Sequence, residues 1–356
     1  MPRQRVLAIN PGSTSTKIAC YQGEEEEFSL NLSHPPEELN KYAKVIDQYD
    51  YRKKFIIRAL VEYAVDVKSF DAIVGRGGLL KPLFGGTYEI SDAMIQDLKE
   101  ARYGEHASNL GAVIAFWLAK EAGCPSFVVD PVVVDELGDL ARISGNPALP
   151  RISVFHALNQ KAVARRAAAA LGKKYEEINL IVAHIGGGIS VGLHENGRVV
   201  DVNNALDGDG PFSPERSGSV PIGALAKLCF SGKYSEADIK KQIKGAGGLF
   251  AYLGTTDFRE VEKRVLAGDT EADLAYRAMA YQIAKEIGQL ATVVCGKVDA
   301  IIFTGGIAFA KTFINLIKQR VSFIARLIDI PGEKELESLR DGALRILRGE
   351  EKARIY

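Results

Sequence analysis

The sequence predicts an α/β protein in which buried strands alternate with helices, and three observations support this fold class. Short apolar runs typical of central strands recur at 6–9, 72–74, 127–129, 179–185 and 299–303. Helical apolar periodicity fills the intervals, at 105–122, 156–171, 270–295, 311–327 and 333–348. Several of the strands also run directly into glycine or polar turns, as expected when strands and helices alternate.

Length, charge and cysteine usage narrow the function classes. A chain of 356 residues is long enough for two domains with complete cores. Its 45 basic and 45 acidic residues cancel, which disfavours nucleic acid or an anionic membrane as a partner. The four cysteines are far apart and form no CxxC pair, so neither a zinc site nor a disulfide scaffold is expected. The composition favours a protein that acts on small molecules.

Hydropathy predicts a cytoplasmic protein. No apolar run approaches the roughly 20 residues needed to span a bilayer. The apolar stretch near the start is short and breaks at Asn10 and Pro11, so we expect no signal peptide.

The first predicted strand, Val6 to Ile9, leads into a turn crowded with small hydroxyl residues, in the segment VLAINPGSTSTK. Pro11 and Gly12 set the turn, and Lys17 adds a fixed positive charge after four hydroxyl residues. Hydroxyl and backbone donors beside a cation suit a polyphosphate. A capped surface turn is equally compatible with these residues taken alone.

The clearest domain boundary is the loop at 145–150, which contains two prolines and one glycine and interrupts both helix and strand. It predicts an N-terminal domain at 1–150 and a C-terminal domain at 151–330.

The strand and turn of the first half recur in the second half. Leu180 to Ile185 is another buried strand, and it ends in the turn Gly186-Gly187-Gly188 before the chain returns in a further strand. A third strand, at 300–304, runs into Gly305 and Gly306, where absent side chains let a nucleotide lie against the backbone. Each feature alone could be a structural turn, but their order favours duplicated nucleotide-binding domains.

Missing motifs exclude other nucleotide-binding folds. There is no GxxxxGK[ST] run for a P-loop and no GxGxxG after a strand for a dinucleotide fold. The HRD and DFG signatures of protein kinases are missing too. The remaining option built on duplicated hairpin turns is the sugar kinase, heat-shock ATPase and actin superfamily.

Within this superfamily the motifs resemble those of the acetate and butyrate kinase family. INPGSTSTK resembles the first phosphate motif and HIGGGISVGLHENGRVVD the second, and the other matches keep the family's order over nearly the whole chain. Those matches are GRGG at 75–78, VVDPVVVDEL at 128–137, VFHALNQKA at 154–162, SPERSGSVP at 213–221, TTDFRE at 255–260 and FTGGIA at 303–308. The resemblance implies two duplicated ribonuclease-H-like (actin-like ATPase) domains with a cleft between them, and a C-terminal helix at 331–356 that joins the first.

Three departures from the acetate kinase pattern resemble the butyrate kinase branch. The chain has Phe155 to Gln160 in place of FHGTSH, three glycines in place of GNG, and 306–310 in place of GIGEN, with Phe309 replacing an acidic residue. The resemblance therefore implies ATP-dependent phosphorylation of butyrate or a related short or branched-chain fatty acid, giving acyl phosphate and ADP. Propionate or acetate kinase activity is the alternative within the family, and a nucleotide-dependent switch without an acid substrate is the alternative outside it.

The resemblance assigns roles to four candidate catalytic residues. Arg76, between two glycines, would hold the substrate carboxylate, unless it is an ordinary surface arginine. Arg216 would brace the transferring phosphoryl group, and Asp130, at the carboxyl end of a strand, would orient magnesium waters or the reacting groups. His156 would donate a hydrogen bond in the transition state, although a helix cap explains its position equally well.

The resemblance also implies residues that bind ATP or ADP and Mg²⁺. Asn10, Ser13, Ser15 and Lys17 would bind the β and γ phosphates. On the other side of the nucleotide the implied residues are His184, Gly186, Gly187, Gly188, Asp257, Phe258, Arg259, Gly305 and Gly306. Asn10, through a metal-bound water, and Glu335 are the candidates for holding Mg²⁺, with a solvated helix face as the alternative for Glu335. A homodimer or a larger homo-oligomer is a further implication of the resemblance.

Overall fold

The computed structural model describes residues 4–356, so the first three residues of the predicted N-terminal domain lie outside the described part. The strands, in chain order, are β1 (Arg5–Pro11), β2 (Ser15–Gln22), β3 (Glu25–Ser33), β4 (Ala72–Gly75), β5 (Thr87–Glu89), β6 (Ser126–Val129), β7 (Asn179–Ile185), β8 (Ile189–Glu195), β9 (Arg198–Val202), β10 (Ala300–Thr304) and β11 (Arg326–Asp329). No helix within residues 4–356 has the length and apolar character needed to cross a membrane.

Helices of very different length connect and cover these strands. They are α1 (Pro36–Leu39), α2 (Tyr49–Glu62), α3 (Asp92–Lys99), α4 (Asn109–Ala122), α5 (Asp139–Arg142), α6 (Ala157–Ala170), α7 (Ile222–Cys229), α8 (Glu236–Ile243), α9 (Gly248–Leu253), α10 (Phe258–Leu266), α11 (Thr270–Val293), α12 (Lys311–Val321) and α13 (Glu335–Leu347). Short 3₁₀ helices lie at Val45–Gln48, Val67–Ser69, Tyr175–Glu177 and Gly306–Phe309.

The first of two units comprises the chain up to Val134 together with Lys334–Tyr356. Among the described residues its sheet has six strands in the order β3-β2-β1-β4-β6-β5. β1, β2 and β3 form an antiparallel meander, whereas β4 and β6 extend the sheet in parallel from β1. β1 is buried from Val6 onwards, which explains its uninterrupted apolar sequence.

Helix α4 packs very closely on the first sheet because two glycines face each other. A Cβ atom at Gly75 would stand 2.9 Å from the backbone nitrogen of Ala112, and one at Gly111 would stand 2.9 Å from the nitrogen of Arg76. These approaches are closer than a side chain permits. The glycines therefore bring α4 against the end of β4, where Arg76 begins the following loop.

The second unit, Asp135–Glu333, repeats the topology of the first. Its five described strands lie in the order β11-β10-β7-β8-β9. β7, β8 and β9 form an antiparallel meander, and β10 and β11 extend the sheet in parallel from β7. In the first unit, β1, β2 and β3 form the same meander and β4 and β6 the same parallel extension. This correspondence supports the duplication that was predicted from the hydroxyl-rich turn of the first half and the glycine turn of the second.

The unit boundary differs from the predicted one at 150, because residues 136–138 already bond to α6 and β9 of the second unit. Asp135 forms an ion pair with Arg142, and Glu136 accepts a 2.8 Å hydrogen bond from the buried Lys161. The backbone nitrogen of Gly138 donates to Val200 of β9. The proline-containing loop at 145–150 is thus an exposed excursion of the second unit.

The predicted strands all occur, but the predicted helix at 311–327 was too long. α12 ends at Val321, and β11 pairs with β10 from Arg326 onwards. The apolar residues of that segment, Leu327 and Ile328, pack as strand residues beside β10, and helical periodicity could not separate the two states. The segment from Lys334 onwards contains α13 and belongs to the first unit.

Candidate active site

The turn between β1 and β2 holds the predicted phosphate-binding residues. The backbone nitrogen of Gly12 donates to the carbonyl of Ser15 at 2.8 Å, which closes the turn. Ser13 is exposed and Ser15 is half-buried. Lys17 is exposed on β2 and lies opposite Asn10 of β1 in the strand register. The hydroxyls of Ser13 and Ser15 and the ammonium group of Lys17 therefore lie at the turn end of the β1–β2 hairpin.

A fully buried arginine from α2 supports this turn, a role that no sequence motif indicates. The guanidinium of Arg52 donates to the carbonyls of Gly12, Ser13 and Ser15 at 2.9 to 3.0 Å. Its other acceptors are the hydroxyl of Thr16 and the side-chain carbonyl of Gln48. Three carbonyls of this one turn are thus bound by one planar group.

Arg52 also has an electrostatic consequence. Burial lowers the pKa of its guanidinium, because a charge is costly away from water. Its hydrogen-bond acceptors within residues 4–356 are carbonyls, a hydroxyl and an amide, all of them neutral. A buried cation of this kind favours an anion at the turn it supports.

Glu335, the first residue of α13, joins two other predicted residues. Its Oε2 accepts a 2.5 Å hydrogen bond from the side-chain nitrogen of Asn10, and its Oε1 forms an ion pair with Arg76. Arg76 is about one-third exposed, and Asn10 is buried. The first unit therefore brings together one candidate for carboxylate binding and both candidates for metal binding.

Asp130 follows β6 in a strained backbone conformation. Its φ is +37°, which is uncommon for a residue with a side chain. The carboxylate accepts a 2.7 Å hydrogen bond from the nitrogen of Gly86, and the nitrogen of Asp130 donates to the carbonyl of Gly86. The side chain is buried and fixed, as a positioning role would require.

In the second unit, the glycine turn between β7 and β8 contacts Arg216. The guanidinium lies so close to Gly188 that a Cβ atom there would stand 2.7 Å from Cζ. Ser213 adds a 2.6 Å hydrogen bond to the carbonyl of Gly187. The segment at 213–216 is thus fastened to the turn, and Gly188 is required for this contact.

The guanidinium of Arg216 is only partly satisfied. Nη1 donates to the carbonyl of Ala205 at 2.6 Å, and Nη2 lies 3.6 Å from Glu215. Nε is buried and has no hydrogen-bond partner within residues 4–356. Burial lowers the pKa of Arg216, and Glu215 acts in the opposite direction. This buried donor lies beside the glycine turn and could donate a hydrogen bond to an anionic ligand.

Two histidines stack beside the same turn. The rings of His156 and His184 are 3.7 Å apart and within 8° of parallel. His156 is the residue that precedes α6, so the predicted helix-end position is correct, but its side chain caps no backbone nitrogen. Its Nδ1 instead lies 2.8 Å from the hydroxyl of Ser190.

His184 is held by Asn159 and lies next to Glu333. The side-chain nitrogen of Asn159 donates to the carbonyl of Gly332, so its oxygen faces Nδ1 of His184 at 2.8 Å, and Nδ1 carries a proton. Nε2 lies 3.1 Å from Oε1 of Glu333, without the direction of a hydrogen bond. A Cβ atom at Gly186 would stand 3.4 Å from Nε2, so the imidazole borders the glycine turn.

Asp257, Phe258 and Arg259 form the start of α10. Asp257 caps the helix by accepting from the nitrogen of Arg259, and the guanidinium of Arg259 donates back to the same carboxylate. Both charged residues are exposed. Phe258 is buried in the core against Tyr276 and Phe313.

Gly305 and Gly306 follow β10, as expected. Gly305 has a φ of +87°, and a Cβ atom there would stand 2.8 Å from the carbonyl carbon of Ile185 at the end of β7. Gly306 is exposed, with open space where a side chain would begin. The absence of a side chain at Gly305 thus allows the end of β10 to pack against the end of β7. At Gly306 it leaves the adjoining surface open.

The structure adds residues that sequence analysis did not single out. Asn159, Gln160 and Ser190 lie inside recognised motifs, so motif position was the available signal. Arg52 and Glu333 carried no such signal, because their roles come from contacts that only the folded chain creates.

The chain is similar to known proteins over nearly its whole length. The sequence profile of the acetokinase family matches residues 150–337. Butyrate kinase 1 of Clostridium acetobutylicum is 56% identical over 352 residues, which is 99% of both chains. A probable butyrate kinase of Clostridium botulinum is 54% identical over the same length, again 99% of both chains.

Solved structures of low identity share the fold. The acetate kinase of Porphyromonas gingivalis has a TM-score of 0.79 at 22% identity and covers 97% of this chain and 100% of its own. A propionate kinase of Francisella tularensis has a TM-score of 0.74 at 18% identity and covers 95% and 98%. These matches confirm the predicted fold class of two ribonuclease-H-like (actin-like ATPase) domains. With a family profile over more than half its length and relatives above 50% identity along nearly all of it, the chain belongs to the acetokinase family.

Proposed function

We propose that the protein transfers the γ-phosphoryl group of ATP to the carboxylate of butyrate or a related short or branched-chain fatty acid. The products are an acyl phosphate and ADP, and the reaction is reversible. The observation that carries this proposal is the 56% identity, over 99% of the chain, to a protein named butyrate kinase 1. The protein is then a phosphotransferase with a carboxyl group as acceptor.

The acid substrate needs charge neutralisation more than a general base. Its carboxyl group has a pKa of roughly 4 to 5, like those of aspartate and glutamate, and is already ionised at neutral pH. An anion must then approach an anionic phosphoryl group, so fixed cations and donors lower the barrier. Arg76 is the proposed carboxylate anchor. Glu335 fixes its guanidinium, whose five N–H donors can also engage a second carboxylate.

The proposed phosphoryl contacts in the second unit are Arg216, His156 and His184. Support comes from the buried Nε of Arg216 and the buried Nε2 of His184, which have no hydrogen-bond partner within residues 4–356 and border the glycine turn. An incoming phosphate oxygen would satisfy Nε of Arg216. It would accept from Nε2 of His184 only in the doubly protonated ring, because Nδ1 holds the proton of the neutral ring, and the gain would grow as negative charge develops. His156 donates to the group in transfer.

The proposed nucleotide and metal contacts complete the site. Ser13, Ser15 and Lys17 bind phosphate oxygens from the first hairpin. Glu335 supplies a carboxylate oxygen, a hard donor that suits Mg²⁺, and Asn10 contacts the ion through a metal-bound water. No cluster of three or more His, Cys, Asp or Glu side chains within residues 4–356 could cage a metal, which suits an ion that keeps most of its waters. When bound, Mg²⁺ neutralises phosphate charge.

Some assignments stay predictions that rest on the resemblance alone. They are the role of Asp130 in orienting the reacting groups, the nucleotide contacts of Asp257, Phe258, Arg259, Gly305 and Gly306, and a homodimeric or larger assembly. Light scattering of the purified protein tests the assembly.

The activity test is trapping of acyl phosphate as hydroxamate. Purified protein, ATP and Mg²⁺ are incubated with acetate, propionate, butyrate or isobutyrate, and kcat/KM is compared. We expect the highest value for a four-carbon acid, with each methylene changing selectivity by about 1 to 3 kcal/mol at most. If none of the acids of two to five carbons yields hydroxamate, the proposal is contradicted. Slow ATP hydrolysis in the absence of an acid would then indicate the nucleotide-dependent switch.

A variant checks that the product comes from this site. Arg216→Ala should lower kcat by about 10² to 10³, as for loss of a donor to developing charge. Near-normal turnover in a correctly folded Arg216→Ala protein removes Arg216 from the mechanism.

A further inference from the structure

A chain of buried hydrogen bonds ends on Nδ1 of His156. β8 contributes Ser190 and His194, which lie four residues apart and therefore on the same face of the strand. Gly192 lies between them, and a Cβ atom there would stand 2.5 Å from Oε1 of Gln160. The glycine thus leaves room for Gln160, which reaches from α6 to both neighbours. Gln160, Ser190 and His194 are each fully buried.

The orientation of the Gln160 amide is fixed by a group that can only accept. Its Nε2 lies 3.0 Å from the backbone carbonyl of Ser190 and 2.8 Å from the Ser190 hydroxyl. A carbonyl oxygen cannot donate, so the NH₂ end of the amide must face Ser190. Oε1 then faces Nε2 of His194 at 3.1 Å and accepts from it.

The far end of the chain agrees with this direction. His194 donates from Nε2, so in its neutral form Nδ1 accepts a hydrogen bond, and the Tyr175 hydroxyl lies 2.7 Å away as the donor. Burial, with Lys161 and Arg165 nearby, holds the pKa of His194 well below its usual range. A neutral ring with one donor and one acceptor is what both neighbours require.

The near end fixes the proton of His156. The Ser190 hydroxyl accepts from Gln160 and, at 3.5 Å, from the backbone nitrogen of His156, which occupies its two acceptor sites. Its own hydrogen is then directed to Nδ1 of His156 at 2.8 Å. Nδ1 is then an acceptor, and a neutral imidazole that accepts at Nδ1 carries its proton on Nε2. The directions follow from the backbone carbonyl of Ser190, which orients Gln160, and from the two donors that occupy the acceptor sites of the Ser190 hydroxyl.

The geometry points to Ser190 and Gln160 as positioning residues that hold His156 in the Nε2–H tautomer, so that it presents a donor to the transferring phosphoryl group. This inference rests on the proposed function for the role of the donor, but the tautomer itself does not depend on it. His184, stacked on His156, has the opposite arrangement, because Asn159 fixes its proton on Nδ1.

Nitrogen NMR of the full-length protein, labelled with ¹⁵N-histidine, tests the tautomer. The chain has five histidines, and the His156 signals are assigned by their loss in His156→Gln. At a pH where the ring is neutral, we expect an unprotonated Nδ1 and a protonated Nε2 in the wild type. A proton on Nδ1 of His156 overturns the inference.

Variants test the positioning residues. Ser190→Ala and Gln160→Met should each admit the second tautomer, seen as averaged nitrogen shifts, and kcat should fall by about tenfold or more while both KM values change little. Ser108→Ala removes the hydroxyl 2.8 Å from Nδ1 of His106 in the first unit and should leave the His156 signals unchanged. A wild-type tautomer retained in folded Ser190→Ala contradicts the role of the serine.

The two readouts separate the failure of each proposal. If the wild type has the Nε2–H tautomer but forms no acyl phosphate, the proposed function fails and the tautomer stands. If acyl phosphate forms and the tautomer is Nδ1–H, the inference fails alone. Should Gln160→Met not fold, Ser190→Ala carries the test, because it removes one hydroxyl and adds no volume.

Discussion

The guanidinium of Arg216 lies directly over Gly188, with Cζ 2.7 Å from where a Cβ atom would be. Neither residue alone explains this contact. The glycine turn leaves the space, and Ser213 fastens the arginine segment to the neighbouring Gly187 carbonyl. Arg216, the proposed phosphoryl-binding arginine, can therefore occupy this position only if residue 188 is a glycine.

Gly188→Ala should therefore displace Arg216 and lower kcat by about 10² to 10³, the loss expected when one donor to developing charge is removed. Overpacking should also cost about 1 to 3 kcal/mol of stability. Gly187→Ala is the matched comparison, because open space surrounds its Cβ position. We expect that variant to keep its Tm and far more activity. Equal activity of the two variants in the hydroxamate assay contradicts the role of the contact.

Substitution of Arg52 should weaken nucleotide binding through the first turn. Arg52→Met leaves three turn carbonyls without their donor, which should lower the free energy of unfolding by about 2 to 5 kcal/mol. It also removes a buried positive charge behind the turn, so the KM for ATP should rise. The measurement is the increase in Tm on adding ATP, compared between variant and wild type.

Arg52→Lys provides the control for charge. It keeps the cation but loses the planar fork that reaches three carbonyls, so its ATP response should fall between those of the wild type and Arg52→Met. An ATP-induced Tm increase that is the same in all three proteins shows that Arg52 only supports the fold.

Glu335 should act on both the acid and the metal. Glu335→Gln removes the charge that fixes the Arg76 guanidinium, so the proposed carboxylate anchor is held less firmly and the KM for butyrate should rise. The Mg²⁺ concentration needed for half-maximal rate should rise, because a carboxylate is lost from the proposed metal site. Glu337→Gln, two residues along α13, should change neither value. Parallel changes in the two variants contradict the assignment.

Sequence reasoning identified the elements whose signal is local. The apolar runs of β1, β7 and β10 and the turns after them lie where predicted, because burial on both faces leaves a continuous apolar sequence. It also named Asn10 and Arg76, which lie at strand ends beside glycines and prolines.

The rest depends on contacts between distant segments. Arg52 reads as one more basic residue of an amphipathic helix, and its role appears only when α2 packs under a turn about forty residues earlier in the chain. The predicted helix at 311–327 runs into the start of the strand at Arg326–Asp329, because the conformation of that strand is determined by its partner, β10. Gln160 lay inside a recognised motif, but its role depends on the face of β8 that it meets.

Stability should depend on pH through Glu286 of α11. Burial, with Asp209 and Asp201 nearby, raises the pKa of Glu286 to about 7 from an ordinary value of 4.5, and Arg151 acts in the opposite direction. Between these two values the folded protein keeps a proton that the unfolded chain has lost. The folded state binds more protons there, so stability falls as pH rises from about 4.5 to about 7 and is level above that range.

Glu286→Gln should remove this part of the pH dependence. Because the amide stays neutral, the variant should be more stable than the wild type at pH values above 7, by at most about 3 kcal/mol for a shift of this size. Denaturant unfolding at a series of pH values measures the difference, and Glu350→Gln, at an exposed carboxylate, is the control. If Glu286→Gln and the wild type lose the same stability between pH 4.5 and 7, the ionisation of Glu286 does not cause the loss of stability at higher pH.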